Sequence, residues 1–122
     1  MAKILVVDDE PEITDSCVMY LEMEGYDAYG AKNSKEAFAA LEKYKPEVLI
    51  LDLNLNEGVS GLHILKKALE YCPNAQAAVL TGHSEGKVAE KCYAAGAKMI
   101  VEKPIAIEKF KEIVDQLSNG LS

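Results

Sequence analysis

Four short apolar runs in this chain each give way to a polar residue, and that placement limits the fold more than any other feature. Ile4-Leu5-Val6-Val7 runs into Asp8-Asp9, Val48-Leu49-Ile50-Leu51 into Asp52, and Ala77-Ala78-Val79-Leu80 into Thr81; Met99-Ile100-Val101 is followed two residues later by Lys103. Runs this short and this uniformly apolar read as strands buried on both faces, as in parallel sheets. Parallel strands share the edge at which their C-terminal ends lie. Three carboxylates, a hydroxyl and an ammonium group therefore meet in one crevice, where open α/β sheets bind their ligands.

Between these runs the apolar spacing changes to that of helices. Pro11 suits a first helical position, and Ile13, Cys17, Tyr20 and Leu21 form a stripe that Gly25 ends. A short strand follows around residues 26–29. Asn33 caps a second helix, with Glu36 three residues on as in a capping box and Ala37, Ala40, Leu41 and Tyr44 facing inward. Ser60 caps a third, carrying Leu62, Leu65 and Leu69 and ending near Pro73. The fourth begins near Ser84, buries Val88, Cys92 and Ala95, and stops at Gly96. The fifth runs from about Ile105 with Ile107, Phe110, Val114 and Leu117 on one face. Five βα units with short connections predict an α/β fold, a doubly wound five-stranded parallel sheet with helices on both faces.

The chain has 122 residues, which predicts one domain spanning 1–122. Its net charge of −7 argues against direct nucleic acid or anionic membrane partners, since both need a basic surface. No apolar run approaches the ~20 residues of a membrane helix, and no signal peptide precedes the first strand. Three cysteines without metal-ligand spacing suit a reducing cytoplasm, and Cys17 and Cys92 are expected to pack in the core. Cys72 falls near a helix end.

The crevice has a charge problem. Two carboxylates ~4 Å apart repel by roughly 4 kcal/mol at an effective dielectric of ~20. A hard divalent cation with oxygen ligands, Mg²⁺ above all, offsets this. Asp8, Asp9 and Asp52 supply such a site, completed by waters and a backbone carbonyl just past Asp52, that of Asn54. With Lys103 alongside, three negative charges meet three positive ones. Turning the Asp52 carboxylate into an acyl phosphate adds only about one more negative charge, so the site suits phosphoryl transfer to an aspartate. A flavin or dinucleotide would need a Gly- or Ser/Thr-rich first βα loop. Here that loop is Asp8-Asp9-Glu10-Pro11-Glu12, which repels phosphate.

Over essentially its whole length the chain resembles the receiver domain of two-component response regulators. The resemblance is carried by Asp8-Asp9, Asp52-Leu53-Asn54, Leu80-Thr81-Gly82, Ala94-Ala95-Gly96-Ala97 and Lys103-Pro104. It implies a flavodoxin-like sheet of order 2-1-3-4-5, the known order of chemotaxis receivers, and often a cis Lys103-Pro104 bond. It implies that Asp52 is the phosphoacceptor, that Asp8 and Asp9 hold Mg²⁺, that Thr81 is the switch hydroxyl and that Lys103 is the counter-charge. It further implies a cytoplasmic partner of a sensor histidine kinase or phosphotransfer protein. A downstream protein or effector domain would be read through the face of the fourth helix, fifth strand and fifth helix. Two positions depart from the family: Asn56 replaces a proline, in a loop to Gly61 one residue longer, and Ile100 replaces an aromatic.

Two other functions compete. An aspartyl-phosphate phosphohydrolase carries a second acid two residues past its nucleophile, where this chain has Asn54, and a cap domain for which 122 residues leave no room. A constitutive binding module with an inactive site would not need Asp8, Asp9, Asp52, Thr81 and Lys103 together. Among the remaining polar side chains, His63 reads as helix surface and His83 as the mouth of the crevice. The six tyrosines fall mostly at interior-facing spacings, and the helix carboxylates read as a solvated face.

Overall fold

The four apolar runs form the inner strands and one edge of the sheet. A computed structural model of the protein describes residues 2–53, 61–82 and 87–119. Its elements are β1 (Lys3–Val7), α1 (Pro11–Met23), β2 (Asp27–Ala31), α2 (Ser34–Tyr44), β3 (Val48–Asp52), α3 (Gly61–Tyr71), β4 (Gln76–Thr81), α4 (Lys87–Ala94), β5 (Met99–Glu102) and α5 (Ile107–Ser118). All strand pairs are parallel, and the order is β2-β1-β3-β4-β5. The doubly wound α/β sheet expected from the sequence is the sheet observed.

The two-residue period of each strand divides the core into two layers. Ile4, Val6, Val48, Ile50, Ala78 and Leu80 pack with α1 and α5. Leu5, Val7, Leu49, Leu51, Ala77 and Val79 face the opposite way, against α2, α3 and Cys92 of α4. Pro11 opens α1 as expected, and the Asn33 side chain accepts the Glu36 N–H at 2.8 Å. The Glu36 carboxylate reaches past the cap to the Lys32 N–H, at 2.9 Å. Cys17, Cys72 and Cys92 are all buried free thiols.

Several expectations shift. β2 lies at Asp27–Ala31, later than 26–29, because its register with β1 carries Gly30 and Ala31 into the ladder. α5 starts at Ile107, two residues past the expected Ile105. β5 is not buried on both faces: Met99, Ile100 and Val101 are half-buried and Glu102 is exposed, since β5 is an edge strand paired with β4 alone. Val88 is 37% exposed although its spacing matches Cys92, because α4 covers that sheet edge rather than its centre. Tyr71 and Tyr93 also face solvent, keeping their hydroxyls wet. The expected starts of the third and fourth helices, at Ser60 and Ser84, lie outside the described residues, as do the loop 54–60 with Asn54 and Asn56, and His83.

Candidate acidic site at the sheet edge

Asp8, Thr14, Asp52 and Thr81 are the buried polar side chains among the described residues, and three of the four lie where strands end. Asp52 closes β3 and Thr81 closes β4, each 2% exposed or less, while Asp8 follows β1. Asp9 is half-buried beside Asp8. A carboxylate oxygen from each of Asp8, Asp9 and Asp52 falls within 4.8 Å of the others. Lys103 arrives from beyond β5 and places Nζ 2.7 Å from Asp52 Oδ2. Its own backbone N–H donates to the Thr81 carbonyl at 2.8 Å, so Thr81 and Lys103 are tied at the main chain. The Lys103-Pro104 bond is cis, as the resemblance implied. The structure thus brings together every described residue that the sequence nominated. His63 stays on the exposed face of α3, edge-on to Phe38.

Asp8 is held on three sides. Its N–H donates to the Ala31 carbonyl, its carbonyl accepts the Thr14 hydroxyl at 2.7 Å, and its Oδ1 accepts the Glu10 N–H at 3.0 Å. Its Oδ2 is buried with no hydrogen-bond partner. A buried carboxylate oxygen left in this way is costly unless a cation completes it. Burial raises the Asp8 carboxyl above its ordinary value, the Glu10 N–H opposes this, and the charge of Asp52 adds to the rise. Burial would lower Lys103, but the hydrogen bond and charge of Asp52, with the charge of Asp8, reverse it, and the ammonium is held above its usual value. Cys17, beneath Asp8, is pushed up to about 12 by burial and then by that same charge, which keeps it a thiol.

The donor set fits Mg²⁺. Three carboxylates lie close enough to share one small ion, Asp8 Oδ2 is otherwise unpartnered, and among the described residues no histidine or cysteine joins the cluster. A groove of about 590 Å³ leads from Asp8 and Lys103 along Ile13, Cys17, Ile105 and Phe110, between α1 and α5, and opens the site to solvent.

Two supports were not read from the sequence. Gly61 opens α3 directly behind Asp52: a Cβ there would meet Leu53 Cα at 2.6 Å and the Asp52 carbonyl oxygen at 2.8 Å, and its N–H donates to the Leu53 carbonyl. Its glycine identity was the available signal, since close backbone approach is one of the few reasons for it. Thr14, outside the apolar stripe, gave no signal at all.

A family model of the response regulator receiver domain matches residues 4–115. Among curated proteins, the chain is 34% identical to the transcriptional regulatory protein TrcR of Mycobacterium tuberculosis, over 88% of this chain and 41% of that protein. It is 28% identical to sporulation initiation phosphotransferase F of Bacillus subtilis, over 92% of this chain and 90% of that protein. Among solved structures, the response regulator TrrA of Thermotoga maritima, in complex with Mg²⁺ and BeF, superposes with a TM-score of 0.80 and 32% identity, covering 96% of this chain and 99% of that one. The chain spans less than half the length of the first curated relatives it matches, from 25% to 45%.

Proposed function

We propose, since this chain belongs to the response regulator receiver domain family, that Asp52 is its phosphoacceptor and that residues 1–122 form one receiver unit. The observation that carries this reading is the 2.7 Å pairing of Lys103 with Asp52 inside a cluster of three converging carboxylates. Asp8, Asp9 and Asp52 would hold Mg²⁺, together with the backbone carbonyl of Asn54. An ion held by these residues would supply positive charge against the phosphoryl oxygens. TrrA, solved with Mg²⁺ and BeF, supports that choice of ion.

The chain's own residues perform the rest. Asp52, presented at the end of a fully buried strand, attacks phosphorus; the P–O bond forms as the bond to the donor nitrogen breaks, and the electron pair returns to the histidine ring. Lys103, already beside Asp52, balances the added negative charge. The Thr81 hydroxyl, one strand over, donates to a phosphoryl oxygen. In this reading the protein is a phosphoacceptor that assists its own phosphorylation and dephosphorylation, not an enzyme acting on a separate substrate.

The donor is a sensor histidine kinase or phosphotransfer protein, and the setting is the cytoplasm. Among the described residues no helix is long and apolar enough to cross a membrane. Output is read by a protein or effector domain at the face of α4, β5 and α5, where Val88 and Tyr93 stand exposed; direct nucleic acid contact plays no part. Acetyl phosphate with Mg²⁺ tests the reading. Intact-mass spectrometry should find one added phosphoryl group on the wild type and none on Asp52→Asn. Equal labelling of the two proteins would overturn it.

A further inference from the structure

Thr14 is the one buried polar side chain of the described residues that is not itself in the acidic site. A threonine inside a helix ordinarily turns its hydroxyl to the carbonyl four residues back. In α1 the Glu10 carbonyl accepts the Thr14 N–H as in any helix, but the hydroxyl departs from that habit and donates to the Asp8 carbonyl at 2.7 Å. This rotamer sends the Thr14 methyl toward β2, where it meets Gly30. A Cβ at Gly30 would lie 2.5 Å from Thr14 Cγ2 and 3.3 Å from Val18 Cγ2. Gly30 does not have the positive φ seen at Gly25 and Gly96, so its backbone suits any residue. What requires glycine at position 30 is the methyl of Thr14.

We infer that Thr14 is a positioning residue for the metal site, acting through Asp8, and that Gly30 sets the rotamer in which it does so. The Thr14 hydroxyl fixes the peptide following Asp8. That peptide carries the Asp9 N–H, and the next one carries the Glu10 N–H, the donor to Asp8 Oδ1. The hydroxyl thus anchors the turn one peptide before that donor. With Oδ1 held, Oδ2 is the oxygen left unpartnered for a cation. Position 30 on the edge strand is therefore linked to the aim of Asp8 through one side chain. The inference rests on the reading of Asp8 as a Mg²⁺ ligand.

The test measures Mg²⁺ affinity by titration of amide NMR shifts, with urea denaturation recording stability separately. Thr14→Val keeps the shape and removes the hydroxyl; it should weaken Mg²⁺ binding roughly tenfold, the effect typical of a lost outer partner of a ligand. It should also move the Glu10 amide resonance in the metal-free protein. Thr14→Ser, which keeps the hydroxyl and drops the methyl, should bind as the wild type does. Gly30→Ala should weaken binding when residue 14 is threonine and have no effect alongside Thr14→Ser, a coupling that general destabilisation does not produce. Wild-type affinity in Thr14→Val overturns the inference. So does an equal loss from Gly30→Ala in both backgrounds, a comparison that stands even if Thr14→Val fails to fold. A wild type that does not respond to Mg²⁺ overturns the metal-site reading itself, and this inference with it.

Discussion

β3 and β5 both lead into a residue of the acidic site, but the core treats them differently. Every side chain of β3 is 1% exposed or less, between β1 and β4 and with packed helices on both faces. β5 has one neighbouring strand, three half-buried residues and an exposed last one. The helices beside them repeat the contrast. α1 and α5 bury Thr14, Cys17, Leu21, Phe110, Ile113, Val114 and Leu117 between them, whereas α4 buries Cys92 alone. Asp52 thus stands on the best-held part of the molecule and Lys103 on the least. Under the proposed function, this arrangement would hold the Asp52 carboxylate fixed while Lys103 and α4, with fewer buried contacts, shift more readily when charge is added.

Truncating one residue on each strand breaks or sharpens this contrast most strongly. Ile50→Ala removes a fully buried side chain and should lower stability by about 2–5 kcal/mol, from lost transfer energy and the cavity left behind. Ile100→Ala, from a half-exposed site, should lose only about 1 kcal/mol. Urea denaturation measures both, and equal losses would remove the basis of the comparison. The next effect is local. Cys92→Ala should speed hydrogen exchange across residues 87–94 while the amides of β3 keep their protection. Exchange that rises uniformly would mean that α4 opens only with the whole fold.

The smallest effect concerns how α5 is fastened. Asp115 accepts hydrogen bonds from Lys111, at 2.7 Å, and from the Tyr26 hydroxyl, and these hold its carboxyl below the usual value. With the folded value depressed, this contribution is present at neutral pH, above the unfolded value of 3.8, and disappears as pH falls through the lower folded one. Asp115→Asn should therefore lower the melting temperature slightly at pH 7 and not at all at the acid end of that range. A deficit that persists in acid would point to packing rather than charge.

Much of this was legible in the chain. Asp8, Asp9, Asp52, Thr81 and Lys103 were visible because parallel strands convert position in sequence into position at one edge. The central strands were visible because their residues are apolar without interruption. The exposure of β5 was not, since Met99-Ile100-Val101 is as apolar as an inner strand and only the topology shows that it lies at the border. Val88 misled for the same reason. Thr14 and Gly30 were hidden differently: each is unremarkable in its own element, and their significance lies in a contact between a helix and a strand that no local pattern encodes.

The bond from Tyr26 to Asp115 has one more consequence. Tyr26 immediately precedes the first residue of β2, and Asp27 there pairs with Lys3 at the start of β1, so the last turn of α5 lies beside the strand beginnings. Ala2 and Leu117 accordingly share one apolar cluster. Ala2 and the last turn of α5 thus lie at the strand beginnings, opposite the carboxylates. A tether or a fluorophore attached at Ala2 or Ser118 would hang from the far side of the molecule and leave the approach to Asp52 clear.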